Sequence, residues 1–256
     1  MKIYITACDK RLNYAKKIKE MLKDCPYEYF FVYGKGNTKK LEPYLEFDFE
    51  DSYENLTEKT FYLVDHFYKT FTDDKLLKMN DDTFLDIEKI KKYESCKEDY
   101  IGFFHSPIPN EYAKIFHWYK IENPEYKVFK NDITTTYADG SMYIINRNAC
   151  KKILNCGIDF FKVTPTEYFG EDVKVGLALQ DKSIIKKDIK YPAIALYEIT
   201  EDFMSIHPTN VLMFDKLKIA KTNDEKMKIL NQYNFINENL LRIQYLDKIK
   251  TMVKSN

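Results

Sequence analysis

Apolar positions along the first hundred residues switch repeatedly between two periods. Ile3 to Ala7 is a short apolar run with strand character. Leu12 to Lys23 then carries Tyr14, Ala15, Ile18, Met21 and Leu22 at helical spacing. Tyr29 to Tyr33 is aromatic and β-branched, closed by Gly34-Lys35-Gly36-Asn37. Leu56 to Phe71 places Leu56, Leu63, Val64, Phe67 and Phe71 on one helical face. Leu76 to Met79 reads as a strand, Ile87 to Tyr93 as a short helix and Tyr100 to Phe104 as a further strand. This alternation predicts an α/β fold, a mostly parallel sheet with helices on both faces.

The second half is less regular. Residues 105–136 hold Pro107, Pro109, Trp118, Pro124 and many aromatics without a sustained period, the pattern of a long binding loop. Ser141 to Ile145 is again a strand. Asn146 to Leu154 is a helix turning Ala149, Cys150, Ile153 and Leu154 inward. Glu171 to Gln180 is a helix led by acids, favourable at the positive end of its dipole. Residues 224–253 carry one or two amphipathic helices with a break near Asn234. No repeat or low-complexity linker intervenes. The expected organisation is one catalytic-type domain over residues 1–210 and a helical extension over residues 211–256.

Composition narrows the function classes. Forty basic and forty acidic residues cancel at a pI near 6.9, so no global positive field is available for nucleic acid or anionic membrane. Cys8, Cys25, Cys96, Cys150 and Cys156 are scattered without a C-x-x-C pair. That pattern fits neither a disulfide scaffold nor a zinc site and points to a reducing compartment. The N-terminal residues already read as a strand, not as a signal peptide. No apolar run approaches the roughly 18 residues that span a bilayer.

Three separated segments could carry chemistry. In Leu76-Leu77-Lys78-Met79-Asn80-Asp81-Asp82-Thr83-Phe84 an apolar strand ends in two carboxylates. Acids at the carboxyl edge of a sheet lie where α/β proteins bind ligands, and hard divalent ions take oxygen donors. Gly170-Glu171-Asp172-Val173 puts two acids at a helix start, and Ile206-His207-Pro208 ends an apolar run with a lone imidazole. Each segment alone is equally an ordinary turn, cap or surface histidine.

Taken in order, these segments resemble the β-1,3-galactosyltransferase, N-acetylglucosaminyltransferase and Fringe group of inverting glycosyltransferases. Asp51-Ser52-Tyr53-Glu54-Asn55-Leu56-Thr57-Glu58-Lys59-Thr60 is similar to that group's Asp-x-Tyr-x-Asn-Leu-Thr-x-Lys-Thr signature. Lys78 to Phe84 is similar to its Lys-x-Asp-Asp-Asp-x-Phe metal motif, with Asn80 in place of the first aspartate. Tyr137-Ala138-Asp139-Gly140-Ser141-Met142-Tyr143 is similar to its Tyr-x-Ser-Gly-Gly-Gly-Tyr segment, with Asp139 and Ser141 where the group has small residues. Gly170-Glu171-Asp172-Val173-Lys174-Val175-Gly176 matches Glu-Asp-Val-x-x-Gly, and His207 falls at the group's C-terminal histidine.

The resemblance implies a GT-A fold and a hexosyltransferase using a nucleotide-diphosphate sugar, UDP-linked, with a glycan or glycoprotein acceptor. It implies Mn²⁺ or Mg²⁺ as cofactor, with Asp82 and His207 as metal ligands. Thr6, Arg11, Asn80, Asp81, Gly140 and Glu171 fall on the donor side, and Asp172 is the catalytic base. The family's membrane anchor and disulfides are not seen, so the expectation is a soluble, cytoplasmic viral or microbial relative, in the host cytoplasm if viral. Two other classes remain open from the residues: a metal-dependent nucleotide-sugar phosphohydrolase and a non-catalytic carbohydrate-binding protein on the same fold.

Overall fold

The computed structural model describes residues 1–85, 87–105, 134–163, 170–189 and 193–195. The chain runs β1 (Lys2–Thr6), α1 (Leu12–Met21), β2 (Tyr29–Lys35), β3 (Tyr44–Glu50), α2 (Leu56–Thr70) and β4 (Lys75–Asn80). It continues through β5 (Thr83–Leu85), α3 (Ile87–Lys91), β6 (Tyr100–His105), β7 (Tyr137–Asn146), α4 (Arg147–Asn155) and α5 (Ile158–Phe161). The last described elements are α6 (Glu171–Ala178), β8 (Lys186–Asp188) and β9 (Ala193–Ala195).

Seven strands form one sheet in the order β3-β2-β1-β4-β7-β6-β8, and β5 pairs with β9 in a separate antiparallel ribbon. The pairs β1–β2, β1–β4, β2–β3 and β6–β8 are parallel; β7 runs antiparallel to both β4 and β6. The mostly parallel sheet expected from the sequence is therefore present. The alternating side chains of each strand feed two cores. Ile3, Ile5, Phe31, Leu77 and Met79 pack with Ala15 and Ile18 of α1 and Ile90 of α3. On the other face Tyr4, Val32, Leu76 and Tyr143 meet α2 through Leu63, Val64 and Phe67, α4 through Ala149 and Ile153, and Val175 of α6. Burying both faces is what selects near-continuous apolar strands in a parallel sheet.

The chain divides into two compact units, Met1–Leu196 and Tyr197–Asn256. The expected boundary at residue 210, the helices expected over 224–253 and most of the 105–136 segment lie outside the described residues. No helix among the described residues is long and apolar enough to cross a membrane.

Candidate active site

The carboxyl ends of β1 and β4 lie side by side, with Thr6 opposite Asn80. The chain leaves β1 for β2 on one side and returns at β4 on the other, so this edge is the switch point where open α/β sheets hold ligands. Thr6 Oγ1 donates to Asn80 Oδ1 at 2.8 Å, and the Asp81 amide donates to the Thr6 carbonyl at 3.2 Å. The acidic turn is thereby folded over the end of β1. Arg11, in the tight turn after β1, brings Nε to 3.2 Å from Asp81 Oδ1 and its terminal Nη2 onto Asp82 Oδ2. Asp81 is only 1% exposed, and its Oδ2 has no partner among the described residues. Burial pushes the Asp81 carboxyl up from its ordinary value, while the charges of Arg11 and Lys59 pull it down.

The signature over residues 51–60 braces this edge. Lys59 Nζ donates to the Ala7 carbonyl at 2.9 Å and pairs with Asp51 Oδ1 at 2.6 Å. Asp51 Oδ2 accepts from the Gly34 amide at 2.9 Å and from Asn37 Nδ2 at 2.5 Å. One lysine–aspartate pair thus ties the ends of β1 and β2 to the start of α2. A buried pair of this kind fixes geometry because each charge lacks water as an alternative partner.

The second acidic segment begins α6. Lys78 is fully buried on the α2–α6 side of β4. Its Nζ reaches Asn80 Oδ1 at 2.9 Å, the Gly140 carbonyl at 2.6 Å and Glu171 Oε2 at 3.0 Å. Glu171 Oε1 also accepts from Tyr143 OH at 2.5 Å and Thr60 Oγ1 at 3.1 Å. Asp172 is half-buried, and its Oδ1 accepts from the Val173 amide at 2.9 Å. Burial raises the Asp172 carboxyl, the charge of Asp139 raises it further, and His105 and Lys78 oppose the shift.

Two glycines let α6 approach β7. A Cβ on Gly140 would lie 3.2 Å from Glu171 Oε2 and 3.3 Å from Asp172 Oδ2. A Cβ on Gly176 would lie 2.5 Å from Tyr137 Cβ, which no side chain tolerates. The glycine five residues after Glu171 is therefore a close-packing requirement that seats the acids against the sheet.

A further charged pair stands beside them. His105 Nε2 lies 3.0 Å from Asp139 Oδ2, and Asp139 Oδ1 accepts from the Ser141 amide at 2.8 Å. The His105 ring lies against Tyr137, with centroids 5.2 Å apart. Burial works to lower the imidazole, but the hydrogen bond to Asp139 and the charges of Asp139, Asp172 and Asp188 outweigh it and raise His105. Burial likewise works to raise Asp139, and the hydrogen bond and charge of His105 hold it well below the carboxylate range.

Thr6, Arg11, Asn80, Asp81 and Asp82 meet at the β1–β4 edge; Gly140, Glu171 and Asp172 form the adjoining cluster, and Lys78 bridges the two. His207 lies outside the described residues. Among the described residues no three of His, Cys, Asp and Glu form a group that could hold a metal ion. The partnerless Asp81 oxygen and the neighbouring Asp82 carboxylate are nevertheless the hard donors a divalent ion takes, and Arg11 supplies the positive charge they require. Sequence reasoning overlooked Lys59, Lys78, Tyr143 and His105 as site residues. Lys78 was visible as a lone charge in an apolar strand, and Asp139 as a departure from a small-residue pattern.

A family model described as galactosyltransferase matches residues 35–190, more than half of the 256-residue chain. No curated protein matches the sequence. Similar solved structures include a glycosyltransferase involved in the glycosylation of the major capsid of PBCV-1 (11% identity, TM-score 0.42, 73% of this chain and 81% of that one). They also include the galactosyltransferase LgtC in complex with donor and acceptor sugar analogs (11% identity, TM-score 0.40, 73% of each chain). A putative glucose-1-phosphate thymidylyltransferase from Bacillus anthracis is similar at 9% identity and TM-score 0.44, over 94% of this chain and 98% of that one.

Proposed function

The chain belongs to the galactosyltransferase family of enzymes, its mostly parallel helix-flanked sheet being the GT-A architecture expected of it; from this premise we propose that it is an inverting, metal-dependent hexosyltransferase. The donor is a nucleotide-diphosphate sugar, UDP-linked, and the acceptor is a hydroxyl of a glycan or glycoprotein. The observation carrying this reading is the bridge at Lys78. Its hydrogen bonds to Asn80, Gly140 and Glu171 join the edge bearing Asp81 and Asp82 to the helix start bearing Asp172.

In this reading Asp172 takes the proton of the acceptor hydroxyl as its oxygen forms a bond to the anomeric carbon. The bond from that carbon to the diphosphate oxygen breaks on the opposite face, and its electron pair leaves with the nucleoside diphosphate. A free aspartate with pKa near 3.9 is a weak base for a sugar hydroxyl, so proton transfer is concerted with attack. The upward shift of Asp172 from burial improves the match. Arg11 offers a planar fork suited to phosphate oxygens. Thr6, Asn80 and Asp81 position the ribose or donor sugar, with Gly140 and Glu171 framing the same pocket. Asp82 and His207 would hold Mn²⁺ or Mg²⁺, which supplies Lewis-acid stabilisation of the leaving diphosphate.

The test is turnover of a nucleotide-sugar panel with Mn²⁺, with and without glycan acceptors. Acceptor-dependent release of UDP is expected. Release of free sugar or phosphate as the main activity, independent of acceptor, would replace this reading with a phosphohydrolase. A thermal shift with sugars alone and no turnover would replace it with a carbohydrate-binding protein.

A further inference from the structure

His105 and Asp139 have no part in the reaction derived above, yet they form a partly buried ion pair on the strands that face α6. Asp139 immediately precedes Gly140, whose Cβ position lies 3.3 Å from Asp172 Oδ2. The pair is held on both sides. Asp139 Oδ1 accepts the Ser141 amide at 2.8 Å, and the imidazole is flanked by Tyr137 and Phe103, with centroids 5.2 and 5.3 Å away. Among the described residues, the charged groups acting on His105 come from three elements: Asp139 on β7, Asp172 on α6 and Asp188 on β8. All three are acids. Among the described residues His105 and the buried Lys78 are the cations that oppose the Asp172 shift, and the imidazole is the one held by Asp139.

Resting on the transferase reading, we propose that the His105–Asp139 pair sets the charge state of Asp172, which makes His105 a positioning residue for the acceptor-activating step. Protonated His105 favours the ionised Asp172 needed to receive the acceptor proton. Asp139 acts in two directions, keeping the imidazole protonated while repelling the Asp172 charge directly. His105 moves no proton to substrate in this scheme; it acts through the field at Asp172.

Two measurements test the proposal. Imidazole carbon spectra follow the four histidines, with the His105 signal identified by its loss in His105→Gln. Its titration midpoint is expected above the ordinary 6.5, lower in Asp139→Asn, and lower by a smaller step in Asp172→Asn. This arm needs neither substrate nor activity. A midpoint unmoved by Asp172→Asn would overturn the proposal, and should Asp139→Asn fail to fold, the Asp172→Asn arm still decides it.

The second measurement is the acidic limb of kcat/KM against pH. It should move to higher pH in His105→Gln by about one unit, a tenfold loss on that limb. It should move to lower pH in Asp139→Asn, where repulsion of Asp172 is relieved. A structural role would depress both profiles without shifting the limbs in opposite directions, and that result would also overturn the proposal. Absence of turnover with every nucleotide sugar would instead sink the proposed activity, leaving the spectroscopic coupling to stand or fall alone.

Discussion

Lys78 Nζ lies 3.0 Å from Glu171 Oε2, and the two side chains are 0% and 2% exposed. This one contact joins β4 to α6 from opposite halves of the sequence. Removing the cation leaves Glu171 buried with its charge unmatched. Lys78→Met is expected to cost about 3–5 kcal/mol, the range for breaking a buried pair at one end. Adding Glu171→Gln should return part of that loss, because the amide keeps a hydrogen-bonding group without the charge. Urea denaturation of the single and double variants reads the coupling directly.

Asp172→Asn should abolish sugar transfer while leaving UDP binding by calorimetry largely intact. Equal loss of both would refute the base assignment. The same variant should be more thermostable than the parent at neutral pH. The folded carboxyl is raised above its unfolded value of 3.8, so between the two values the folded state binds more protons. Stability contributed by this group is therefore present below 3.8 and lost as pH rises through the raised value. A parent melting profile showing no such decline relative to Asp172→Asn would remove the carboxyl from its strained environment.

Arg11 is the only charged group that bonds both Asp81 and Asp82 among the described residues. Arg11→Gln should lower the melting temperature without metal and enlarge the upward shift on adding Mn²⁺, because ion binding to the native state then relieves uncompensated repulsion. Asp82→Ala should lose Mn²⁺-dependent UDP affinity. Unchanged calorimetric UDP binding with Mn²⁺ would take Asp82 out of the metal site.

Gly140→Ala places a methyl group 3.2 Å from Glu171 Oε2 and 3.3 Å from Asp172 Oδ2. Both carboxylates must yield by a few tenths of an ångström. Overpacking costs about 1–3 kcal/mol, whereas misplacing a reacting group by 1 Å costs on the order of 10²-fold in rate. The expected variant is folded and strongly impaired in transfer. Gly176→Ala should be worse for folding, since its methyl group would meet the Tyr137 backbone at 3.0 Å. Circular dichroism melts alongside transfer assays separate the two.

The parallel half of the sheet was legible because Ile3, Phe31 and Leu77 sit in short apolar runs separated by helices with clear periodicity. β3 was also legible in principle: Leu45, Phe47 and Phe49 alternate with Glu46, Asp48 and Glu50. β8 was not, because Lys186-Lys187-Asp188 has no strand propensity and owes its place to pairing with β6. β7 begins at Tyr137 rather than Ser141 because Tyr137 and Ala138 pair with His105 and Phe104 of β6 beyond an irregularity in the ladder, a tertiary contact with no local signal. The acids of the site were recognisable by their pattern. Their pairing was not: Lys78 stands out as a lone charge in an apolar strand, but which acid Lys59, Lys78 or His105 meets is decided by tertiary contacts.

β7 runs against its neighbours, which brings its first residue beside the last of β6. His105 and Tyr137 are cross-strand partners. The thirty-odd positions between them therefore leave and re-enter the ladder at a single rung. Such an insertion can be lengthened, trimmed to a hairpin or exchanged between relatives at little topological cost. A change of length between those two rungs therefore leaves the strand order of the sheet as it is.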